Sequence, residues 1–504
     1  MTVRKAGLSV LLVYPDKLKA ALGSPGFKQV FRTMTEACDI IVDWAWFNEK
    51  NGIIVYEKKE WKSTYNFVGF SVPYELLYTN VVRSLGALNV EPLRERRNPD
   101  EPAIILGGSA PTMNPTVAGV IADVVYIGEA EPNVIGTLQE FKDSYKRGAA
   151  RLLTPMLGIS VPKKKGAAPR FFYPAEKIDS TFFPGFDDPS LSTFKGSGLV
   201  EVGRGCSRGC RFCAAGHICL PVRHRSVDYI LRDAETYLGK AERIGLVGAS
   251  VSDHRFLKDI FRGILNMGFG LTTSSFRADM LDDELALLLK KGGLKTITIA
   301  PEGGSERIRE IMNKKLTEDE ILNAVRACSK ARINRIRLYY MVGLPWEKES
   351  DCDAILDLTE KISLEFNRPG NRITVSVNPF IPKPQTPFQW CSMAEPSYIK
   401  TVYRKLLRSF HSMPGVKAKT LSARVALKEA VISLGDINVG KAIIMNARDG
   451  VPWKKALSQN KVNISKLVHT EKPSDHAFPW DNVTGEKTKA ALYASFKKAQ
   501  NTAR

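Results

Sequence analysis

Histidine and cysteine are scarce in this chain of 504 residues, which contains six histidines and eight cysteines. No histidine precedes His217, so the first part of the chain offers no histidine ligand to a metal. The cysteines are too few for a disulfide framework, and three of them fall within eight residues. This spacing predicts a metal site in a reducing compartment.

Long apolar runs are also missing, because no stretch of about 18 apolar residues is available to span a bilayer. The short apolar segment from Leu8 to Tyr14 is followed by Pro15, Asp16 and Lys17. It is predicted to be a first β-strand, not a signal peptide. We therefore expect a cytoplasmic protein with no transmembrane segment.

Basic residues exceed acidic ones and give a formal net charge of +20. Such an excess suits a polyanionic partner, because Lys and Arg that neutralise phosphates release counterions. The basic clusters, however, lie in a Pro/Gly/Ala stretch at Lys163–Lys165 and in an amphipathic tail at Lys454 and Lys455. A solvated surface is therefore favoured over binding of RNA, DNA or anionic lipid, and both interpretations stay open.

The length predicts several folded units, which we place at residues 1–162, 163–195, 196–395 and 396–504. The first unit alternates apolar strand patterns with helical patterns, as in an α/β, Rossmann-like doubly wound sheet. Ligands of such sheets bind beyond the carboxyl ends of the strands, where Gly107-Gly108 and Gly128-Glu129 form turns. The predicted strands are 8–14, 40–44, 67–71, 103–106 and 124–127, and the predicted helices are 27–36, 74–85 and 115–121.

Residues 163–195 are predicted to be a linker with an extended arm, and strand and helix patterns then alternate six times. The alternation favours an open, partial (β/α)6 barrel with its active face at the carboxyl ends of the strands. The last unit is predicted to be a mainly helical, basic domain. The predicted barrel strands are 199–202, 243–247, 270–274, 296–299, 335–341 and 373–377, and the helices are 228–238, 256–265, 282–289, 318–330 and 350–364.

Cys206, Cys210 and Cys213 form the pattern CxxxCxxC directly after the first barrel strand. Soft thiolates are the ligands of iron–sulfur clusters, and three of them leave one iron of a four-iron cluster open. The neighbouring Arg204, Arg208 and Arg211 are expected to keep the thiols deprotonated. A structural zinc site completed by His217 or Cys219 is the less favoured alternative, because zinc usually takes paired CxxC half-sites.

This loop resembles that of the radical S-adenosylmethionine (SAM) superfamily. The resemblance implies a 4Fe-4S cluster whose open iron binds SAM, reductive cleavage of SAM and a 5′-deoxyadenosyl radical that abstracts hydrogen. It also implies an electron donor such as flavodoxin or ferredoxin. SAM contacts are assigned by the same resemblance to Phe212 and Val342 near the adenine, to Gly248, Ala249 and Ser250 near the amino group, and to Glu302 and Arg337.

A Rossmann-like domain before such a barrel is similar to the cobalamin-binding class of the superfamily, and the chain most resembles an uncharacterised branch with a B12-binding-like N-terminal domain. The chain lacks the DxHxxG histidine that coordinates cobalt in many cobalamin domains, so a histidine-ligated corrinoid is excluded there. Two interpretations stay open: cobalamin bound without that ligand, or a purely structural domain.

The resulting prediction is a radical SAM enzyme that acts on an unactivated C–H bond, with methyl transfer to carbon if cobalamin binds. One alternative is an RNA-modifying, methylthiotransferase-like enzyme. The positive net charge and the segment from Pro384 to Trp390 favour this alternative. The N-terminal region argues against this alternative, because Cys38 is its single cysteine and a second cluster would need three. The other alternative is a non-catalytic iron–sulfur protein that binds nucleic acid.

Overall fold

A computed structural model describes residues 7–37, 39–56, 65–131, 133–146, 159–160, 167–180, 193–194, 196–366 and 372–504. Cys38 and the basic cluster Lys163–Lys165 lie outside the described residues. None of the helices in the described part of the chain is both long and apolar enough to cross a membrane.

The first sheet is built from apolar runs that are buried on both faces, as expected for parallel strands covered by helices. Its strands are β1 (Leu8–Tyr14), β2 (Ile40–Asn48), β3 (Gly52–Val55), β4 (Phe67–Ser71), β5 (Ala103–Gly107), β6 (Val124–Tyr126) and β7 (Ile159–Ser160). The accompanying helices are α1 (Leu18–Leu22), α2 (Pro25–Thr35), α3 (Tyr78–Ala87), α4 (Ser109–Met113), α5 (Pro115–Ala118) and α6 (Val134–Lys146).

The strand order within this sheet is β3-β2-β1-β4-β5-β6-β7. The central strands from β2 to β6 are parallel, and β3 and β7 pair antiparallel at the edges. The parallel core reverses direction of winding between β1 and β4, and ligands of doubly wound sheets bind at such a switch point. The predicted α/β fold class is confirmed here.

The second half of the fold is an open, barrel-like array. Its strands are β9 (Ser197–Arg204), β10 (Arg223–His224), β11 (Arg243–Gly248), β12 (Gly270–Thr273), β13 (Thr296–Glu302), β14 (Arg335–Val342), β15 (Arg372–Pro379) and β16 (Val416–Thr420), preceded by the short β8 (Ala168–Pro169). The helices are α7 (Ala215–Ile218), α8 (Val227–Glu235), α9 (Leu257–Asn266), α10 (Asp283–Lys291), α11 (Glu306–Ile311), α12 (Glu318–Lys330), α13 (Glu349–Glu365) and α14 (Pro396–Ser412).

These strands form two four-stranded sheets, β10-β9-β11-β12 and β13-β14-β15-β16. A parallel bridge between Phe276 and Ile299 joins the two. The predicted open barrel is thus confirmed, with β16 as an additional parallel strand beside β15 that the sequence pattern did not indicate. Helix starts follow local chemistry: at α12, for example, Thr317 and Glu320 form a reciprocal capping box.

The rest of the chain is mainly helical, as predicted, and packs against both the first domain and the barrel. It contains α15 (Ala423–Ser433), α16 (Ile437–Arg448), α17 (Trp453–Gln459), α18 (Ile464–Val468), β17 (Val483–Thr484) and α19 (Lys489–Ala503). Strand β17 pairs with β8, and α16 packs so closely on the first domain that a Cβ at Gly440 would lie 2.6 Å from a methyl of Val120. The four-part division predicted from the sequence stays a prediction.

Buried polar contacts join the first sheet to the segment that follows β15. The Gln385 amide donates to the carbonyls of Thr112 and Met113 at 2.7 and 2.8 Å. Lys383 Nζ lies 2.6 Å from Glu75 and 2.7 Å from Glu429. The Pro-rich segment therefore fixes the first sheet against the barrel.

Candidate active site

The three motif cysteines lie on the loop between β9 and α7, at the carboxyl end of the barrel. Cys210 is buried, whereas Cys206 and Cys213 are partly exposed, and all three are free thiols. Gly205 has φ +81°, and a Cβ there would lie 2.6 Å from the carbonyl oxygen of Cys219. The loop can fold this tightly only because this position carries no side chain.

Burial governs the acidity of the thiols. It raises the pKa of Cys210 to about 11, against the opposing charges of Lys314 and Arg277. Burial also raises the pKa of Cys213. The metal-free thiols of Cys210 and Cys213 are therefore protonated at neutral pH, and binding of iron must displace their protons.

The expectation that the loop arginines keep the thiols deprotonated is wrong for Cys210 and Cys213, because the pKa of each is raised. Arg204 is held by carboxylates of Glu129, Glu131 and Glu201 at 2.7–2.9 Å. Arg208 interacts with Cys206 but is paired with Asp253 and Asp279, and Arg211 donates to backbone carbonyls of α11. Carboxylates therefore neutralise Arg204 and Arg208, and most of these carboxylates are distant in sequence.

A lysine from the C-terminal segment lies beside the loop instead. Lys487 Nζ is 3.3 Å from His217 Nδ1, and it interacts electrostatically with Cys206. Nζ lies 3.9 Å from the position of a Cβ on Gly209. No sequence signal pointed to Lys487, because about 270 residues separate it from the motif and only the tertiary fold brings them together.

The donor set fits a cluster better than a single ion. Among the described residues, no group of three or more His, Cys, Asp or Glu side chains converges as the ligands of one ion would. His217 Nε2 is 3.1 Å from the Cys210 carbonyl and Nδ1 faces Lys487, so its ring nitrogens are already engaged. A four-iron cluster takes its thiolates on separate irons, which suits three soft donors on one loop.

Four of the residues predicted to contact SAM lie at or just after the carboxyl ends of strands β11 and β13. Gly248 and Ala249 are exposed at the end of β11, and Ser250 donates to Asp253 at 2.7 Å. Glu302 ends β13 with φ +69°, lies 3.4 Å from Lys314 and interacts electrostatically with Cys213. Burial raises the pKa of Glu302. Glu302 and the cysteine loop thus lie close together.

The remaining predicted contacts differ in position. Phe212 is half-buried against an aromatic cluster that includes Trp346 and Phe388. Val342 is buried at the end of β14. Arg337 lies on the opposite, concave side of β14, about 16 Å along the strand from Val342. All of these SAM contacts stay predictions.

A second feature is a cavity of about 260 Å³ between the first sheet and helices α2 and α6. It lies at the switch point of the sheet, and Glu201 and Arg204 of the barrel complete its wall. Gly128 has φ +99°, and a Cβ there would lie 2.2 Å from the Phe171 carbonyl oxygen, so this turn requires glycine. Five glycines line the cavity: Gly26, Gly69, Gly107, Gly108 and Gly128.

Ion pairs beside this cavity join the two halves of the molecule. Glu129 accepts hydrogen bonds from Arg204 at 2.9 Å and from both terminal nitrogens of Arg223, at 2.7 and 2.9 Å. Glu201 pairs with Arg204 and with the fully buried Arg225. Glu201 and Arg204, at the end of β9, line the cavity and directly precede the cysteine loop. One network of ion pairs therefore contacts both features.

Comparison of the sequence with protein-family models identifies the family of this chain. Residues 200–359 match the model of the radical SAM superfamily, and residues 41–158 match the model of the N-terminal region of radical SAM proteins. The chain belongs to the radical SAM superfamily. That fold implies a 4Fe-4S cluster and SAM, and the assignment of Cys206, Cys210 and Cys213 as the cluster ligands stays a prediction.

Two curated relatives extend the match. An uncharacterized protein of Methanocaldococcus jannaschii is 27% identical over 438 residues, which is 86% of this chain and 90% of that protein. The ribosomal protein uS12 methylthiotransferase RimO of Thermotoga maritima is 26% identical over 181 residues, 33% of this chain and 42% of that enzyme.

Two solved structures share the fold. OxsB, a cobalamin-dependent SAM radical enzyme solved with aqua-cobalamin and SAM, has a TM-score of 0.55 and 13% identity, covering 98% of this chain and 79% of OxsB. TsrM of Kitasatospora setae, a radical SAM methyltransferase solved with tryptophan and a SAM analog, has a TM-score of 0.53 and 14% identity, covering 72% of each chain. At these identities the likeness concerns the fold alone.

Proposed function

We propose that this radical SAM enzyme is cobalamin-dependent and transfers a methyl group to an unactivated carbon of its substrate. The observation that carries the proposal is the glycine-lined cavity at the switch point of the first sheet, whose wall is completed by β9, the strand that leads into the cysteine loop. When bound, the cluster and SAM supply a 5′-deoxyadenosyl radical, and methylcobalamin supplies the methyl group.

The chain's own residues have distinct tasks in this proposal. Cys206, Cys210 and Cys213 hold the cluster, and Glu302 with the Gly248–Ser250 turn orients SAM. The buried aromatic cluster around Phe388 excludes water from one side of the loop. Since the first domain offers no histidine, the corrinoid is held by backbone turns and the cavity alone.

Reductive SAM cleavage is tested with anaerobically reconstituted protein and an assay for 5′-deoxyadenosine. Wild-type protein should form the product, and Cys213→Ala should form none. The matched control is Cys328→Ala, which removes a buried thiol of α12 and should retain the product. Wild-type protein that has an intact cluster and forms no product would defeat the enzymatic proposal.

Cobalamin binding is tested by the optical spectrum after addition of hydroxocobalamin and gel filtration. A Cβ at Gly26 meets no atom within 4 Å, so Gly26→Leu should fold while its side chain obstructs the cavity. We expect wild-type protein to retain the corrinoid and Gly26→Leu to lose at least about tenfold in affinity. Gly86→Leu, on α3 and equally unobstructed, is the control. Equal retention by all three proteins would place the corrinoid elsewhere.

A methylthiotransferase-like activity is the second candidate, favoured by the similarity to RimO over one third of the chain. Such an enzyme would need a sulfur source, and Cys38 is the only cysteine before Cys206. Retention of cobalamin in the preceding experiment favours the methyltransferase. A protein that binds no cobalamin but releases a methylthiolated product favours the second candidate.

A further inference from the structure

The concave face of the β13-β14-β15-β16 sheet carries two lysines that the proposed chemistry does not use, together with Arg337, for which a SAM contact is predicted. Side chains alternate between the two faces of a strand. In β14 the residues Ile336, Leu338 and Tyr340 are buried under the helices, so Arg337 and Tyr339 face the concave side. Arg337 is exposed there.

Strand β16 continues this face. Val416 and Ala418 belong to the core that α14 covers, and the alternate residues Lys417 and Lys419 are exposed on the concave side. In the parallel register, Lys417 lies opposite Thr374 and Lys419 opposite Ser376. Thr374 in turn lies opposite Arg337, so the cations occupy the same surface, which we call the cationic wall.

Within the described residues, no side chain neutralises the charges of the cationic wall. Neither Lys417, Lys419 nor Arg337 makes a hydrogen bond or ion pair with a side chain of the described residues. On the outer side of the same sheet, by contrast, Lys405 of α14 pairs with Glu349 and Asp353 at 2.9 and 2.5 Å.

Acidic groups are nearly absent from this face. Among the described side chains of this face, Glu302 at the carboxyl end of β13 provides the one carboxylate. Glu302 is already paired with Lys314. In the register of the sheet, Thr374 lies between Arg337 and Lys417, and Ser376 lies between Tyr339 and Lys419. Lys417 and Lys419 are two residues apart, which is about 7 Å along the strand. Two ammonium groups at this spacing, with hydroxyl donors on the neighbouring strand, can bind an anion that has several oxygens.

We infer that Lys417 and Lys419 bind an anionic group of the substrate, a phosphate or a carboxylate. This inference rests on the proposed function, in which the substrate lies at the carboxyl ends of the strands to meet the radical. In the parallel register Lys419 lies at the level of Tyr339, one residue before the level of Glu302, and Lys417 lies two residues further toward the amino end. An edge strand also carries lysines merely to prevent sheet extension, and such lysines bind no ligand. The test separates the two roles.

The test measures binding of inorganic pyrophosphate and of citrate by calorimetry at low ionic strength. We expect wild-type protein to bind one of them, and K417Q/K419Q to bind it at least about tenfold more weakly, since charge-assisted hydrogen bonds are lost. Preference for pyrophosphate identifies a phosphorylated substrate, and preference for citrate a carboxylated one. Because both lysines are exposed and unpaired, the variant should keep the wild-type melting temperature.

The matched control is K497Q/K498Q, which removes two exposed lysines of α19 and changes the net charge equally. It should bind the probe as wild type does. Equal affinity of K417Q/K419Q and wild type, or no binding by wild type, overturns the inference. SAM cleavage is assayed in parallel: if wild type forms no 5′-deoxyadenosine while probe binding still depends on the two lysines, the proposed function fails and the anion site stands.

Discussion

At the scale of single residues, Asp233 of α8 is a buried carboxylate whose oxygens make no hydrogen bond within the described residues. Its side chain is 1% exposed, and neither oxygen accepts a hydrogen bond from a described residue. Burial raises its pKa to about 7, with Arg225, Glu201, Lys28 and Arg32 as the facing charges. Between pH 4 and 7 the folded state therefore holds a proton that the unfolded state releases, and stability falls as the pH rises.

Asp233→Asn removes this penalty. At pH 8 the variant should have a free energy of unfolding higher by about 2–4 kcal/mol, and the difference should vanish near pH 4. Urea unfolding at the two pH values measures it. Asp259→Asn, at an exposed position of α9, should change the free energy of unfolding at neither pH. A pH-independent effect of Asp233→Asn would refute the assigned protonation.

At the scale of elements, the C-terminal helix α19 supports the cysteine loop. Phe496 is 2% exposed, and its ring centroid lies 5.7 Å from Trp346 and 6.0 Å from Trp390. One residue earlier, Ser495 accepts a hydrogen bond from Arg211 of the cysteine loop at 3.3 Å. The end of the chain thus packs against the loop that carries the thiols.

Phe496→Ala should lower the free energy of unfolding by about 3–5 kcal/mol, because a buried aromatic ring is lost and a cavity remains. The loosened loop should also retain less iron after reconstitution and desalting. Thermal melting and iron analysis measure both effects. Lys497→Ala, on the exposed side of α19, should stay within about 0.5 kcal/mol. Full iron retention by Phe496→Ala would show that α19 does not support the loop.

At the scale of the whole molecule, Glu129 links the first sheet to the barrel. Arg223, whose side chain is 1% exposed, pairs with Glu129. Glu129→Gln leaves this guanidinium buried without its carboxylate, so we expect a loss of about 3–5 kcal/mol. Because the link joins two units, calorimetry should resolve an earlier, separate unfolding step.

The control for this link is Glu365→Gln, which breaks the exposed pair with Arg326. Its effect should stay below about 1 kcal/mol, since exposed ion pairs contribute little. Equal effects of the two substitutions, with one cooperative transition in each, would show that Glu129 does not hold the two units together.

Much of the fold is predictable because its strands are short, apolar and regularly spaced. Strands 8–14 and 67–71 and helix 318–330 lie where the patterns placed them. Strand β16 was missed because its sequence, VKAKT, is rich in lysine and buries only one face. Its pairing with β15 compensates for the weak local preference for a strand.

The candidate site likewise has a part that the sequence predicted and a part that it did not predict. The cysteine loop was predicted because its ligands are close together in sequence. The contacts that neutralise Arg204 and Arg208, and the approach of Lys487, were not predicted, because each joins residues that are distant along the chain. Sequence spacing carries no information on such pairs.

The sequence alone indicated the cofactor chemistry of this protein, since three closely spaced thiols after a strand favour a cluster and their resemblance to the radical SAM loop implies one with an open iron. It also excluded a histidine ligand in the first domain. Only the tertiary structure decided which charges surround the thiols, where the cavity lies and which lysines remain unpaired. These properties depend on burial and on long-range contacts, and both arise only when the strands and helices pack together.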